Sequence, residues 1–174
     1  MNIAQALKIR GWMTEPELLF LAECASSREL IVEVGSFCGR STRALADNTK
    51  GRVLAIDPWD GMCQTYGMIV HSNGYTNEFN EFKSNLADHL LTGKVASQRT
   101  KFNNFWVHNP DMIFIDAIHE YDALLEDISH ARNMMPHGLL CGHDYNPTWP
   151  GVIKAIDEIF PNRKVKETIW YVEL

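Results

Sequence analysis

The sequence contains no apolar run that approaches the roughly 20 residues needed by a membrane-spanning helix. Its first residues, 1–8, lack the basic start, the long apolar middle and the small-residue cleavage site of a signal peptide. The four cysteines form no CxxC pair and lie inside apolar segments. We therefore expect a cytoplasmic protein with reduced core thiols and no membrane partner.

Basic residues are also scarce. The chain has 16 Lys and Arg against 22 Asp and Glu, which gives a net charge of −6 and an isoelectric point near 5.6. Binding to nucleic acid or to an anionic membrane needs clustered Lys and Arg. We therefore expect no nucleic-acid partner, and a small molecule or a neutral glycan fits the charge better.

No internal repeat, linker or low-complexity run divides the chain. Of the 174 residues, 45% are hydrophobic and 22% are charged, so the chain is long enough and apolar enough to bury a core. We predict that residues 1–174 form a single domain.

Strand and helix patterns alternate along the chain. Strands that are separated by helices imply an α/β protein with a mostly parallel sheet covered by helices on both faces. The predicted strands are 31–34, 53–56, 94–98, 112–115 and 139–142, with one or two closing strands within 164–173.

The predicted helices begin at recognisable positions. Residues 14–17 have the form of a capping box with a proline in the first turn, and they predict a helix before the first strand. A second helix, 40–48, follows a turn that contains two glycines. Apolar residues at helical spacing predict further helices within 79–90, 124–135 and 152–160.

Two segments are candidates for a lid or a substrate loop. Residues 58–77 include a proline and several glycines, and such a stretch is unusually long for a loop in a compact domain. Residues 1–13 are the second candidate, because loops of this kind give a shared scaffold its specificity. Aromatic side chains in both segments are also compatible with a homodimer contact.

Acidic residues lie at the ends of four predicted strands. Right-handed crossovers bring the carboxyl ends of parallel strands to one edge of the sheet, where ligands bind in such folds. Four carboxylates are therefore predicted at one rim: Glu33, Asp57, Asp116 and Asp144. The turn with Gly35 and Gly39 lies beside them, and its backbone can pass close to a bound small molecule.

Part of this rim resembles a known motif. Glu33, Gly35 and Gly39 resemble the E/D-x-G-x-x-x-G motif of class I S-adenosylmethionine-dependent methyltransferases, and Asp57 resembles the acid that binds the ribose hydroxyls in that fold. The chain departs from the pattern at Phe37, where many members have a third glycine.

Three further segments are more specific. Residues 56–61, 113–121 and 142–145 resemble a subgroup that includes macrolide-sugar O-methyltransferases and cephalosporin hydroxylase-like proteins. The resemblance covers roughly residues 15–160, although the longer sugar-modifying relatives have extra N-terminal structure. It implies a Rossmann-like class I methyltransferase fold with an antiparallel closing strand at the C-terminus.

The resemblance implies S-adenosylmethionine as the cofactor. The residues implied to bind it are Glu33, Gly35, Ser36, Phe37, Gly39, Ser41, Asp57, Trp59 and Asp116. Trp59 follows the ribose-binding acid closely enough to lie against an adenine face, and a role in packing is nearly as well supported.

Acidic and histidine side chains after two strands predict a catalytic centre. Asp116 and Asp144 could bind a divalent cation such as Mg²⁺, which would lower the pKa of an acceptor hydroxyl, and a nearby imidazole could take its proton. By the resemblance, Asp116 and Asp144 are metal ligands and His119 is the general base. His143 stands where the relatives have an acid and is the third candidate ligand, although imidazole suits softer metals better than Mg²⁺.

These assignments have structural alternatives. The glycines of the turn could simply permit tight packing of helix and strand. Asp116 could cap the helix that starts near Tyr121. His119 could hydrogen-bond the backbone, and His143 and Tyr145 could support the site from outside.

Together these features predict a small O-methyltransferase that acts on a hydroxyl of a small molecule or sugar with a divalent cation. One alternative is a non-catalytic S-adenosylmethionine-binding or accessory protein. Another is a dinucleotide-dependent oxidoreductase, which the G-x-x-x-G spacing disfavours because such enzymes use G-x-G-x-x-G. Residues 146–149 resemble the N-P-P motif of amine methyltransferases but lack its second proline and follow the wrong strand.

Overall fold

The computed structural model describes residues 1–65, 68–71 and 77–174, with the backbone alone for 62–65 and 68–71. Its strands are β1 (Leu30–Val34), β2 (Arg52–Asp57), β3 (Met62–Thr65), β4 (Met68–His71), β5 (Val95–Arg99), β6 (Met112–Ile115), β7 (Leu139–Gly142), β8 (Lys164–Lys166) and β9 (Ile169–Glu173). Its α-helices are α1 (Glu15–Ala25), α2 (Arg40–Asn48), α3 (Asn77–Asn85), α4 (Ala87–Leu91), α5 (Tyr121–Met134) and α6 (Pro150–Ile159).

The main sheet has seven strands within the described chain, in the order β5-β2-β1-β6-β7-β9-β8. The first five of these strands are parallel, and β9 and β8 close the sheet in the antiparallel direction. The predicted Rossmann-like α/β fold with an antiparallel C-terminal closure is therefore confirmed.

The core lies on both faces of this sheet because alternate strand residues point to opposite sides. On one face, Ile31 and Phe114 belong to a cluster with apolar residues of α1 and α2. On the other face, Val32 and Ile113 belong to a cluster with apolar residues of α5 and α6. None of the described helices is long and apolar enough to cross a bilayer.

The predicted helix and strand boundaries agree closely with the structure. The 14–17 capping box starts α1, where the Thr14 N–H donates to Glu17 Oε2 over 2.7 Å. Two predictions differ. Residues 79–90, predicted as one helical pattern, form α3 and α4 with a break at Leu86. Strand β1 continues to Val34, so Glu33 lies inside the strand and not at its end.

The candidate lid segment 58–77 lies partly outside the described residues. The sequence predicted a loop there, whereas the described part contains two antiparallel strands, β3 and β4. Glycine spacing in the sequence did not indicate these two strands, which pair through their backbones.

The carboxyl ends of the parallel strands meet closely at one edge. Gly35 follows β1 with φ of 87°, and a Cβ atom there would lie 2.1 Å from the backbone oxygen of Asp116. Only glycine allows this contact, which brings the turn after β1 against the end of β6.

Candidate functional site

A cavity of about 520 Å³ opens at the carboxyl edge of the parallel strands. Its size is typical of a small-molecule site. It is lined by the turn after β1, the end of β2, residues 100–103, the start of α5, the segment after β7 and residues 10–13. The predicted site residues that line it are Gly35, Ser36, Phe37, Ser41, Asp57, Asp116, His119, His143 and Asp144.

Asp57 fixes the turn between β1 and α2. Its Oδ2 atom accepts the backbone N–H groups of Ser36 and Phe37 over 3.0 and 2.9 Å, and its Oδ1 atom accepts that of Trp59 over 2.6 Å. Burial raises the pKa of this carboxyl, although the three N–H groups favour its charged form. Asp57 thus joins the end of β2 to the turn and also faces the cavity.

Glu33 supports the same turn from inside the protein. It is fully buried and is not among the described residues that line the cavity. Its Oε2 atom accepts the hydroxyl groups of Ser36, over 2.8 Å, and Thr42. Burial raises the pKa of Glu33 to about 7, although the hydroxyls of Ser41, Thr42 and Ser36 act in the opposite direction. Its contacts therefore position the turn.

Two other predicted cofactor residues also lie behind the cavity wall. Trp59 is 3% exposed, its Nε1 atom donates to the backbone oxygen of Phe37 over 2.7 Å, and its ring packs against Phe79 and Phe82. Gly39 has φ of 91° and begins α2. The position of Trp59 therefore favours the packing role that was its alternative.

Four predicted residues meet just after the carboxyl ends of β6 and β7. His119 Nε2 lies 2.9 Å from Asp144 Oδ2 and 3.6 Å from Asp116 Oδ1. His143 Nδ1 lies 3.5 Å from each of these two oxygens, Asp116 Oδ1 and Asp144 Oδ2. Asp144 has φ of 61°, a left-handed backbone conformation that Asp tolerates better than most residues.

The close carboxylates change the protonation of both imidazoles. Burial would lower the pKa of His119, but hydrogen bonds to Asp116 and Asp144 raise it to about 9. Burial would also lower the pKa of His143, but the negative charge of Asp116 and hydrogen bonds to Asp116 and Asp144 raise it to about 12. The two carboxylates therefore favour the positively charged form of both imidazoles.

The donor set fits a divalent cation. Asp116, His143 and Asp144 each present one ligand atom, and these atoms lie within 4.8 Å of one another. A cation that took the two carboxylates would remove the acceptors that raise the pKa of His119. The neutral imidazole would then be able to accept a proton near neutral pH.

Glu17 is a buried neighbour of this cluster that the sequence identified only as a helix-capping residue. Its Oε1 atom lies 3.2 Å from His143 Nε2 and accepts the Thr168 hydroxyl over 2.5 Å. Burial would raise the pKa of Glu17, but the nearby His143 and the hydrogen bonds from Thr168 and the Thr14 backbone lower it to about 2. The sequence could not indicate this contact, because Glu17 and His143 are far apart along the chain.

Residues of the N-terminal candidate segment lie over the turn. Arg40 donates from Nε to the backbone oxygen of Met13 over 2.9 Å, and from one guanidinium nitrogen to those of Ile9 and Leu7 over 2.7 and 3.2 Å. The Trp12 ring, 57% exposed, lies 4.9 Å from the ring of Phe37 between ring centroids. Sequence reasoning identified none of these contacts because they join distant segments.

Two other described features of the cavity were not predicted. The ring of Trp149 stacks on His119 with centroids 4.3 Å apart, which fixes one face of the imidazole. Asp127 of α5 also lines the cavity, and burial raises the pKa of its carboxyl to about 7, with a further contribution from Glu126. Helical spacing had indicated only the buried face of α5.

Comparison with known proteins links this site to one family. A sequence profile of the family described as a methyltransferase domain matches residues 32–145. This range contains the turn, the end of β2 and the whole acidic and histidine cluster. The comparison with curated proteins finds no match.

Several solved structures share the fold. An S-adenosylmethionine-dependent O-methyltransferase from Thermotoga maritima is 15% identical with a TM-score of 0.67, over 98% of this chain and 70% of that chain. An O-methyltransferase from Bacillus cereus in complex with SAH is 18% identical with a TM-score of 0.64, over 99% and 87%. An RNA methyltransferase from Salinibacter ruber in complex with S-adenosyl-L-homocysteine is 10% identical with a TM-score of 0.65, over 94% and 93%.

Proposed function

The chain belongs to the methyltransferase-domain family and is an S-adenosylmethionine-dependent methyltransferase, and we propose that it methylates a hydroxyl group of a small molecule or sugar. We further propose that a divalent cation assists the reaction. The observation that supports this most strongly is that one cavity joins the glycine turn to the acidic and histidine cluster.

The turn and the end of β2 form the proposed cofactor half of the cavity. Gly35, Ser36 and Phe37 expose backbone there, Ser41 adds a hydroxyl, and Asp57 is placed to meet the ribose. Two structural relatives that were solved in complex with S-adenosyl-L-homocysteine (SAH) support this assignment. Glu33, Gly39 and Trp59 then act on the cofactor through the shape of the turn.

The cluster at the ends of β6 and β7 forms the proposed catalytic half. Methyl transfer joins the acceptor oxygen to the methyl carbon, breaks the bond from that carbon to sulfur, and releases the hydroxyl proton. His119 is the proposed base for this proton, held by Trp149 on its face. Asp116, His143 and Asp144 would hold the cation, which when bound makes the hydroxyl more acidic.

A small acceptor fits the charge better than RNA does. Although two structural relatives are described as RNA or rRNA methylating proteins, the net charge of this chain is −6. The described residues that line the cavity include six acidic ones, Asp57, Asp60, Asp116, Glu126, Asp127 and Asp144, against three basic ones, Arg10, Arg40 and Lys101. This excess of acidic residues and the net negative charge of the chain would disfavour a phosphate backbone and favour a neutral hydroxyl compound together with a cationic sulfonium.

Cellular location and assembly are also proposals. Among the cysteines whose side chains are described, Cys24, Cys38 and Cys141 are free thiols. This supports a reducing compartment such as the cytoplasm. The exposed Trp12 ring supports the proposal of a homodimer contact, which light scattering of the purified protein would test.

The catalytic assignment is tested by transfer of labelled methyl groups to a panel of phenols, sugars and RNA. We expect transfer to a hydroxyl compound, and a fall of about 100-fold or more in kcat for His119→Ala with unchanged binding of S-adenosylhomocysteine. The matched control is His137→Ala, because His137 is exposed outside the cavity. Transfer to RNA alone, or equal kcat in both variants, would contradict the proposal.

A further inference from the structure

His143 is held between two groups of carboxylates. It is 7% exposed, and Glu17 on its far side is 4% exposed. His143 Nε2 lies 3.2 Å from Glu17 Oε1, which is an ion-pair distance, although the orientation of the two groups does not meet hydrogen-bond geometry. The opposite ring nitrogen, Nδ1, lies 3.5 Å from both Asp116 Oδ1 and Asp144 Oδ2. The ring therefore connects the start of α1 to the strand-end cluster.

Glu17 is itself rigidly placed. Its Oε2 atom accepts the Thr14 N–H over 2.7 Å and the Thr14 hydroxyl over 2.8 Å, and its Oε1 atom accepts the Thr168 hydroxyl over 2.5 Å. A charged carboxylate only accepts hydrogen bonds. A cation that took Asp116 and Asp144 would leave Glu17 as the carboxylate that accepts from this ring. A singly protonated His143 would then carry its proton on Nε2 and direct its Nδ1 lone pair at the cation.

This arrangement has the form of a metal-ligating histidine with its supporting carboxylate, in which the ring nitrogen away from the ion donates to a fixed acceptor. Resting on the metal-assisted function proposed above, we propose that Glu17 is a positioning residue that makes His143 Nδ1 a metal ligand. The site then prefers an imidazole-binding transition ion, such as Co²⁺ or Zn²⁺, over Mg²⁺.

The donor set and its spacing support this preference. One imidazole nitrogen with two carboxylates suits transition ions, whereas Mg²⁺ is bound through oxygen atoms. Ligand atoms about 2.1 Å from a tetrahedral ion lie about 3.4 Å from one another. The separations of His143 Nδ1 from the two carboxylate oxygens, 3.5 Å each, are close to that spacing, and all three ligand atoms lie within 4.8 Å of one another.

Glu17→Gln separates positioning from folding. The Gln oxygen can still accept the Thr14 N–H and preserve the helix cap, while its amide nitrogen, which only donates, faces His143. That amide favours the His143 proton on Nδ1, where it blocks metal binding. Glu15→Gln is the matched control, because it removes the same charge from an exposed site in the same helical turn.

The experiment measures Co²⁺ binding by visible absorption and calorimetry, and Mg²⁺ and S-adenosylhomocysteine binding by calorimetry. We expect the wild type and Glu15→Gln to bind Co²⁺ more tightly than Mg²⁺, and Glu17→Gln to bind Co²⁺ about 10- to 100-fold more weakly. Thr168→Val, which removes one bond to Glu17 Oε1, should show a smaller loss in the same direction and serves if Glu17→Gln does not fold.

The outcomes distinguish this inference from the proposed function. Equal Co²⁺ affinity in wild type and Glu17→Gln, tighter binding of Mg²⁺ than Co²⁺, or no metal binding by the wild type would overturn the role of Glu17. S-adenosylhomocysteine binding in those cases would leave the methyltransferase assignment intact. If the wild type did not bind S-adenosylhomocysteine, the proposed cofactor site would be wrong.

Discussion

At the scale of single residues, the same carboxylate chemistry has different roles on two neighbouring strands. Asp57 faces the cavity and accepts three backbone N–H groups. Glu33, on the adjacent strand, is fully buried and accepts hydroxyl groups. The difference follows from position, since Asp57 is the last residue of β2 whereas Glu33 lies inside β1.

Glu33 should make stability depend on pH. Its pKa is raised from 4.5 to about 7 in the folded protein, so the unfolded chain loses this proton at lower pH than the folded chain does. The free energy of unfolding therefore falls as pH rises from 4.5 to 7, by about 3 kcal/mol in total. Glu33→Gln has no carboxyl to titrate at this position. The free energy of unfolding of this variant, relative to wild type, should therefore rise between pH 4.5 and 7 and stay constant at higher pH.

Urea unfolding at pH 5, 6 and 8 measures this effect. Glu29→Gln is the control, because Glu29 is exposed just before the same strand. If the stabilities of wild type and Glu33→Gln differed by a constant amount at all three pH values, the raised pKa of Glu33 would be wrong.

At the scale of elements, the site depends on contacts between segments that are far apart in sequence. The turn after β1 is fixed by Asp57 of β2, and residues 7–13 are fixed by Arg40 of α2. Glu17 of α1 meets His143 after β7. The parallel sheet brings these elements to one edge, and side-chain bonds then fix the segments between them.

Arg40→Met should loosen the N-terminal segment. The substitution removes the donors to the backbone oxygens of Leu7, Ile9 and Met13 while keeping an unbranched apolar side chain. We expect faster hydrogen exchange in residues 7–13, measured by mass spectrometry, and a loss of about 2 kcal/mol in the free energy of unfolding. Cofactor affinity should fall several-fold because residues 10–13 line the cavity.

The exposed Arg52 provides the comparison for that experiment. Arg52→Met removes the same charge and should leave exchange in residues 7–13 unchanged. Equal exchange in the wild type and Arg40→Met would show that the segment is held by its apolar residues and not by Arg40.

At the scale of the whole molecule, the sequence predicted the architecture well because strand and helix periodicities are local. The apolar run 112–115 and the helix 40–48 coincide with β6 and α2. Which strand-end residues share an edge also followed, since parallel order and right-handed crossovers leave few arrangements. The family was identified from the same residues, and the profile match confirms it.

Details that depend on packing between distant segments could not be predicted in this way. The burial of Trp59 against Phe79 and Phe82 required the position of α3. The stacking of Trp149 on His119 required the path of the chain after β7. Such contacts join segments that are far apart in the sequence, so no local sequence pattern indicates them.

The central claim is that the turn after β1 and the end of β2 hold S-adenosylmethionine, and calorimetric titration with S-adenosylhomocysteine tests it most directly. We predict binding by the wild type and by Asp122→Asn, an exposed control on α5, and at least about 10-fold weaker binding by Asp57→Asn, because one acceptor for the turn is lost. Binding of NAD without S-adenosylhomocysteine, or equal affinity in Asp57→Asn, would contradict the account.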